Sequence, residues 1–439
     1  MQELKNLMQK NGILGGGGAG FPSYAKLAEG ANLLLINGAE CEPLLYTDYV
    51  IMKNELPMVL LGIEKVLSHT QIPKALIAIK AHTAKRLGMA HGEELARGIF
   101  VSVLPDVYPM GDEISLIYEA TRRLVKPGQL PITEGVIVYN VETMYNLGVV
   151  VKYGEPVTKK WLTIGGDVKS STVIKVPVGT RLADIFDRLG ITVKEGYSVI
   201  DGGPSMGKVI NYRTHVITKT TKGILILPDY TQAVSSKLIN RKMAVARAET
   251  ACCQCTRCTD MCPRHLLGYP LEPHKMVRTA MGAIEVMPEM VLSATLCCGC
   301  GICEGLACNQ GISPKAVIDS YKALLAKNKL RFNTPGEYKV REERDYRMVP
   351  SDKWTSLLGI AKFDKVADFG GEMYDFARVE IPLTGHIGAP SVASVSDGAF
   401  VNEGDMIAEC AQGLSLPQHA SISGVATVVN GKIMIDRVR

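Results

Sequence analysis

Residues 251–263 read ACCQCTRCTDMCP, and residues 296–308 read LCCGCGICEGLAC. In the first stretch Cys252, Cys255 and Cys258 recur at every third position, and Cys262 follows just before Pro263. In the second, Cys297, Cys300 and Cys303 repeat the triple, and Cys308 follows after four residues. Three thiolates on one tight loop wrap three corners of an iron–sulfur cubane, and a fourth must arrive from elsewhere. Two triples and two single cysteines therefore predict two [4Fe-4S] clusters in a helical domain spanning 233–330. Their metal ligands are Cys252, Cys255, Cys258, Cys262, Cys297, Cys300, Cys303 and Cys308. Structural zinc uses two separated pairs, four ligands in all, and fits this spacing poorly. Cys253 and Cys298 break the spacing, while Cys41 and Cys410 lie far away in sequence. These four are read as packing or spare thiols.

The first run, C-x2-C-x2-C-x3-C-P, is similar to that of bacterial ferredoxins, in which the last cysteine of each run serves the other cluster. That likeness implies that Cys262 joins Cys297, Cys300 and Cys303, and that Cys308 joins Cys252, Cys255 and Cys258.

The rest of the chain fits a redox role. Its 439 residues suggest about three domains. The formal charge is +5 with cysteines counted as neutral. Two thiolate-bound cubanes would bring roughly four negative charges, so the basic excess does not argue for nucleic acid. No stretch reaches the length of a membrane span, and the N-terminus lacks the basic start and apolar core of a signal peptide. A cytoplasmic location follows as an expectation. Twelve cysteines in that setting point to metal or redox chemistry rather than disulfides.

Upstream of the cysteines, Leu4, Leu7 and Met8 predict a short helix before the loop Gly15–Gly20, GGGGAG. Strands are expected at Leu33–Asn37, Lys74–Lys80, Phe100–Leu104 and Gly135–Asn140. Helices are expected near Pro57–Ser68, Asp112–Leu124 and Val141–Val151. This alternation implies a largely parallel sheet covered on both faces. The loop is not an ordinary dinucleotide turn, because a helix rather than a strand precedes it. Ser23 after it is placed to open a helix. Three polar clusters follow strands, where open parallel sheets bind ligands: Asn37–Pro43 (NGAECEP), Tyr108–Glu113 (YPMGDE) and Asn140–Thr143 (NVET). Taken singly, Asp112 and Thr143 could be helix caps.

After Gly154 short strands dominate: Trp161–Ile164, Thr172–Val176, Ser198–Ile200, Val216–Lys219 and Ile224–Leu227, with one helix at Leu182–Leu189. Arg331–Arg347 reads as a linker or exposed hairpin, and Val379–Val438 as a compact all-β module.

GGGGAGFPSYAK, NGAECEP, YPMGDE and NVET together resemble the flavin- and NADH-binding motifs of the RnfC family, relatives of the NADH-oxidising flavoprotein of respiratory complex I. The resemblance covers nearly the whole chain and implies a multidomain α/β fold. A Rossmann-like FMN/NADH-binding α/β domain (1–155) precedes a β-grasp domain of the soluble-ligand-binding (SLBB) type (156–232), whose typical ending motif GPSMG at Gly203–Gly207 fits. The helical di-[4Fe-4S] ferredoxin-like domain, a linker (331–378) and a barrel-sandwich-hybrid module (379–439) follow. The resemblance further implies that Gly17, Gly18, Lys26, Asn37, Tyr108 and Asn140 border FMN. Phe21, Glu42 and Glu113 would lie on the nicotinamide side, and Glu40, Gly111, Asp112 and Thr143 complete the cofactor-binding set. Glu113 and Lys26 are the catalytic candidates. Ala39 stands where the complex I branch has an aspartate.

The terminal module resembles biotinyl and lipoyl carriers, yet its turn at Gly413–Gln418 has no lysine to modify, which favours docking over a swinging arm. An early glycine loop with a C-terminal module resembles the cobalamin-reducing branch of the family, which serves propanediol-utilising bacterial microcompartments. That likeness implies NADH as donor, FMN and two clusters as carriers, and cobalamin as acceptor. It also implies an adenosyltransferase or a shell protein as partner, within or attached to a microcompartment. The sequence lacks the Asp-x-His-x-x-Gly motif, so a corrinoid would dock differently or be presented by a partner. Two other readings remain: an electron-transfer adaptor fed by a protein, as in RnfC-like or proline-reductase-associated chains, and a structural or shell-docking iron–sulfur protein.

Overall fold

Leu33–Asn37 (LLLIN, β1) lies one strand in from the edge of a five-stranded sheet, buried on both faces as parallel strands between helices are. Leu34 and Ile36 pack into one core and Leu33 and Leu35 into another. The computed structural model describes residues 1–17 and 20–438. The remaining strands of this region are β2 (Ala75–Lys80), β3 (Glu94–Ala96), β4 (Ile99–Leu104), β5 (Val107–Tyr108) and β6 (Val136–Asn140). The sheet order is β3-β4-β2-β1-β6, with only β3 antiparallel. Around it lie α1 (Gln2–Lys10), α2 (Thr47–His69), α3 (Ala81–Leu87), α4 (Glu113–Thr121) and α5 (Val141–Tyr153). The chain runs outward from β1 to β2 and β4, then returns to the other side of β1 as β6. This reversal puts a topological switch point between the carboxyl ends of β1 and β6, where open α/β sheets take ligands. α2 starts ten residues before the expected helix. Pro57 sits inside it, and the backbone kinks at Glu55, because proline interrupts the hydrogen-bond ladder without ending the helix.

The next six-stranded sheet has a parallel central pair, Lys159–Gly166 and Gly223–Pro228, flanked by antiparallel neighbours, and it carries the helix Leu182–Leu189. The strand expected at Val216–Lys219 does not form. Val216 makes one bridge to Arg181, the Thr218 and Thr221 groups bond one another as a turn, and Lys219 turns inward to the Gly12 carbonyl at 3.3 Å.

Short helices then surround the cysteine loops, the longer ones at Arg241–Ala251, Pro273–Ala280 and Pro314–Lys327. The segment 331–378 is not a free linker. Arg344 is buried and pairs with Glu119 at 2.7 Å. Val349–Pro350 pairs with β5, and Asp368–Glu372 adds an edge strand to the six-stranded sheet. Buried apolar side chains, Phe332, Trp354 and Phe363 among them, hold it down.

The chain closes in two small sheets around Val379, Ile381, Ile407, Ile422, Ile433 and Ile435. Its turn near Ser415 is not a free tip: Gln9 and Tyr24 both donate to the Ser415 carbonyl, and the Ile387 N–H donates to Gly20 O. No helix among the described residues is long and apolar enough to cross a membrane.

Candidate functional site: two thiol quartets beside a sheet-edge crevice

The eight expected ligands divide crosswise. Cys252, Cys255 and Cys258 share one cavity of about 190 Å³ with Cys308, an order of magnitude more than the roughly 10–15 Å³ a single water needs. Burial pushes the Cys258 thiol up to about 12, and Cys308, Cys255 and Cys252 beside it add to the effect. In the second group burial raises the Cys262 thiol, and Cys297 beside it adds to the effect. Cys303 is raised by burial, then by Glu304, Cys297 and Cys262. Burial also lifts Cys297 to about 11, with Cys298 adding to it. Cys308 thus lies beside the first triple and Cys262 beside the second, an arrangement compatible with the exchange that the ferredoxin likeness implies. Among the described residues, no three His, Cys, Asp or Glu side chains are close enough to hold one metal ion. A cubane asks for wider spacing, because its ligands stand on separate iron corners. An all-thiolate donor set of this spread fits a four-iron cluster.

Of the other four cysteines, Cys298 packs beside Cys300 and Arg264, and Cys253 is exposed at the rim of the first quartet. Cys41 is packed against Gly111, and burial drives its thiol up to about 12. Cys410 lies near Gln9 in the terminal module.

The second site forms at the switch point. Asn37 and Asn140 end β1 and β6 in register. The Asn140 side chain donates to Asn37 O at 3.1 Å and to Asp48 Oδ2 at 3.0 Å, and its own oxygen caps α5 by accepting from Glu142 N. Asn37 donates to Gly111 O at 2.9 Å, tying the two polar loops together. The glycine loop leans over this edge. A Cβ at Gly17 would stand 2.7 Å from Asn140 Nδ2, so only glycine lets the backbone pass so close to the crevice. Gly16 N–H donates to Thr143 Oγ1 at 3.0 Å. Gly18 lies outside the described residues. Lys26 donates to Glu113 Oε1 at 2.8 Å and to Val138 O at 3.1 Å, and both side chains of the pair remain about a third exposed. Phe21 is half-buried, and its carbonyl closes the loop by accepting from Gly15 N. Ser23 opens only a short 3-10 helix. It is fully buried at the start of a four-residue 3-10 turn capped by Pro22.

Ten of the expected site residues fall into two groups. Gly17, Lys26, Asn37, Gly111, Glu113 and Asn140 line the sheet edge together. Glu42, Tyr108, Asp112 and Thr143 are engaged by protein. Glu42 accepts from Ser205 N at 2.8 Å and from Tyr108 OH at 3.3 Å. Tyr108 also donates to the Cys300 carbonyl at 2.7 Å. Asp112 caps α4 and pairs with Arg264 at 2.6 Å. Thr143 holds the glycine loop from within α5 and caps nothing. Burial, with the Asp48 carboxylate adding, raises Glu40 to about 8.

Sequence reasoning missed the ion-pair floor under this edge. Lys222 pairs with Asp48 at 2.5 Å and Lys160 with Glu142 at 2.5 Å; Asp48, Lys160 and Glu142 are buried and Lys222 is largely so. The one local signal was Asp48 at the start of an otherwise apolar helical run. Its partner lies in another domain.

Three family models match the chain. A Nuo51 FMN-binding domain matches residues 8–149, a 4Fe-4S dicluster domain 251–313, and an RnfC barrel sandwich hybrid domain 372–436. The chain is thus a multidomain α/β protein with an FMN-binding domain, a 4Fe-4S dicluster domain and a barrel-sandwich module. It is 35% identical to the cobalamin reductase PduS of Salmonella typhimurium and 33% identical to that of Citrobacter freundii. Each alignment covers 98% of this chain and 95% of the relative. It is 32% identical to one component of the proton-translocating ferredoxin:NAD(+) oxidoreductase complex of Clostridium ljungdahlii, over 61% of this chain and 57% of that component. From the glycine loop to the final β module, the chain belongs to the family of the cobalamin reductase PduS.

Proposed function

We propose that this protein is an NADH-dependent cobalamin reductase that moves electrons from a flavin at the sheet edge to a corrinoid through two [4Fe-4S] clusters. The observation that carries this reading is the contact between the two sites: Tyr108, from the flavin-domain strand β5, donates a hydrogen bond to the carbonyl of Cys300 in the second cysteine loop. When bound, FMN supplies the conversion from two-electron to one-electron transfer and the clusters supply single-electron carriage.

The chain's own groups bind and position. The close passage of Gly17 over Asn140, with Asn37 beside it, supports seating the flavin against the switch point. Lys26 is the cation there, held by Glu113, and the partial exposure of this pair supports contact with a ligand. Phe21, Glu42 and Glu113 are proposed for the nicotinamide side. The six-stranded sheet with its single helix supports the β-grasp label for the second domain. The buried turn at Ser415 supports a docking role for the last module. The PduS relatives support a location within or attached to a microcompartment, with an adenosyltransferase or shell protein as neighbour. Electron flow there would serve cobalamin reduction, regenerating NAD+ from NADH, or, reversed, would pass electrons back to NAD+.

Anaerobic titration with NADH in the presence of cob(III)alamin tests the reading. Flavin bleaching, then cluster reduction and a shift of the corrinoid bands, is the expected result. Bleaching only by a reduced protein partner would make the chain an adaptor. A colourless protein holding zinc would defeat both redox readings.

A further inference from the structure

We infer that Trp354 is a positioning residue that locks the inner cysteine loop against the flavin domain and so sets electron transfer between the two; this rests on the reading proposed above. Trp354 comes from the stretch that the sequence marks as a linker, yet it is 1% exposed and touches three domains. Its ring stacks on Tyr108 of the flavin domain, with centroids 4.9 Å apart and planes 10° apart. Its Nε1–H donates to Ser205 Oγ of the second domain at 2.9 Å. Its far edge presses on Gly305, where a Cβ would stand 2.8 Å from Cη2. Gly305 belongs to the single helical turn that begins at Cys303.

These contacts close a ring. Ser205 N–H donates to Glu42, Tyr108 OH donates to Glu42 and to the Cys300 carbonyl, and Trp354 bridges Ser205 to Tyr108. The helix carrying Trp354, Ser351–Leu357, is pinned to the same sheet edge. Lys80 Nζ donates to Ser351 Oγ at 2.9 Å, and Ser351 N–H donates to Asp106 O at 3.0 Å. Tyr108 is thus held on its face by Trp354 and at its hydroxyl by the Cys300 loop. Removing the indole frees that loop to drift from the flavin domain, and one electron leaving the flavin for the inner cluster then has farther to go.

The test uses the cofactor-loaded protein under anaerobic conditions, with flavin reduced photochemically and cluster reduction followed in time. Trp354→Ala is expected to slow flavin-to-cluster transfer several-fold, because electron tunnelling weakens steeply as the distance grows. Iron and flavin content and the rate of flavin bleaching by NADH should stay unchanged. Amide hydrogen exchange should rise at 300–307 and 107–111 together. Trp354→Phe keeps the stack and should restore most of the rate and protection. An unaltered transfer rate in Trp354→Ala would overturn the inference. Should that variant lose iron, Ser205→Ala, which removes only the acceptor, must slow transfer and raise exchange at the same two segments; no change in either would equally overturn it. If NADH fails to bleach the unsubstituted protein, the donor assignment fails, while the photochemical rate still decides the role of Trp354.

Discussion

Cys252–Cys258 and Cys297–Cys303 trace the same curve with different materials. In both, the second and fourth residues after the first cysteine lie in the left-handed region: Gln254 and Thr256 (φ 56° and 60°) in one loop, Gly299 and Gly301 (φ 76° and 80°) in the other. Their surroundings are opposite. Cys253 and Cys255 of the outer loop are exposed, whereas Cys300 and Cys303 of the inner loop are 7% and 8% exposed. The inner loop is gripped by Tyr108 at Cys300 and by Lys322 Nζ at the Cys297 carbonyl. One ligand geometry has thus been placed once toward solvent and once toward the flavin domain. The buried loop lies against the flavin domain through Tyr108, and the outer loop presents Cys253 and Cys255 to solvent.

The largest effect should come from breaking the crosswise pairing. Cys308→Ala is expected to cost the outer cluster, whose triple lies in the other motif, and to leave the inner one. Cys262→Ala should do the reverse. Iron content falling by about half in each, with distinct residual spectra, is the expected outcome. Loss of the cluster of the substituted motif itself would disprove the exchange.

A smaller effect, confined to the inner loop, concerns Arg264. It pairs with Asp112 at 2.6 Å, both side chains being close to a tenth exposed, and it stands beside Cys298. Arg264→Gln leaves the Asp112 carboxylate without its partner, a loss of about 3 kcal/mol for a buried pair. Removing a positive charge next to the inner quartet also disfavours added negative charge there, so the inner cluster potential should fall while the outer one holds. Denaturant unfolding and a redox titration read the two effects separately. Recovery of most of the stability in Arg264→Gln/Asp112→Asn would assign the loss to the orphaned carboxylate.

These expectations show where sequence sufficed. β1 and the helix Leu182–Leu189 stand where their patterns put them, because local periodicity and burial agree. The 4Fe-4S dicluster region was legible because the spacing of a cysteine triple is a local constraint. The segment 331–378 was not, since its order comes from distant partners: Arg344 from Glu119 and Trp354 from Tyr108. A polar stretch held by remote contacts has the composition of a linker. The Asp48–Lys222 and Glu142–Lys160 pairs were hidden for the same reason, each joining two domains.

The smallest effect tests whether the two loops share a backbone by necessity. A Cβ at Gly299 would meet only Met206 Cε at 3.9 Å, so space does not demand glycine there; the positive φ does. An L-residue in that region costs about 1–2 kcal/mol, partly offset because glycine loses more freedom on folding, by about 0.5–1 kcal/mol. Gly299→Ala should therefore destabilise the cluster-loaded protein by about 0.5–1 kcal/mol with iron retained. Gln254 occupies the matching position in the outer loop with no side-chain partner among the described hydrogen bonds. Gln254→Gly should shift stability by a similar amount in the opposite direction. Anaerobic unfolding of the two variants checks the signs. Opposite shifts mean that cluster geometry imposes the curve on both loops, and that the outer loop holds it against its own side chains. Shifts of the same sign would mean that the inner curve belongs to its packing against Tyr108 and not to the cluster.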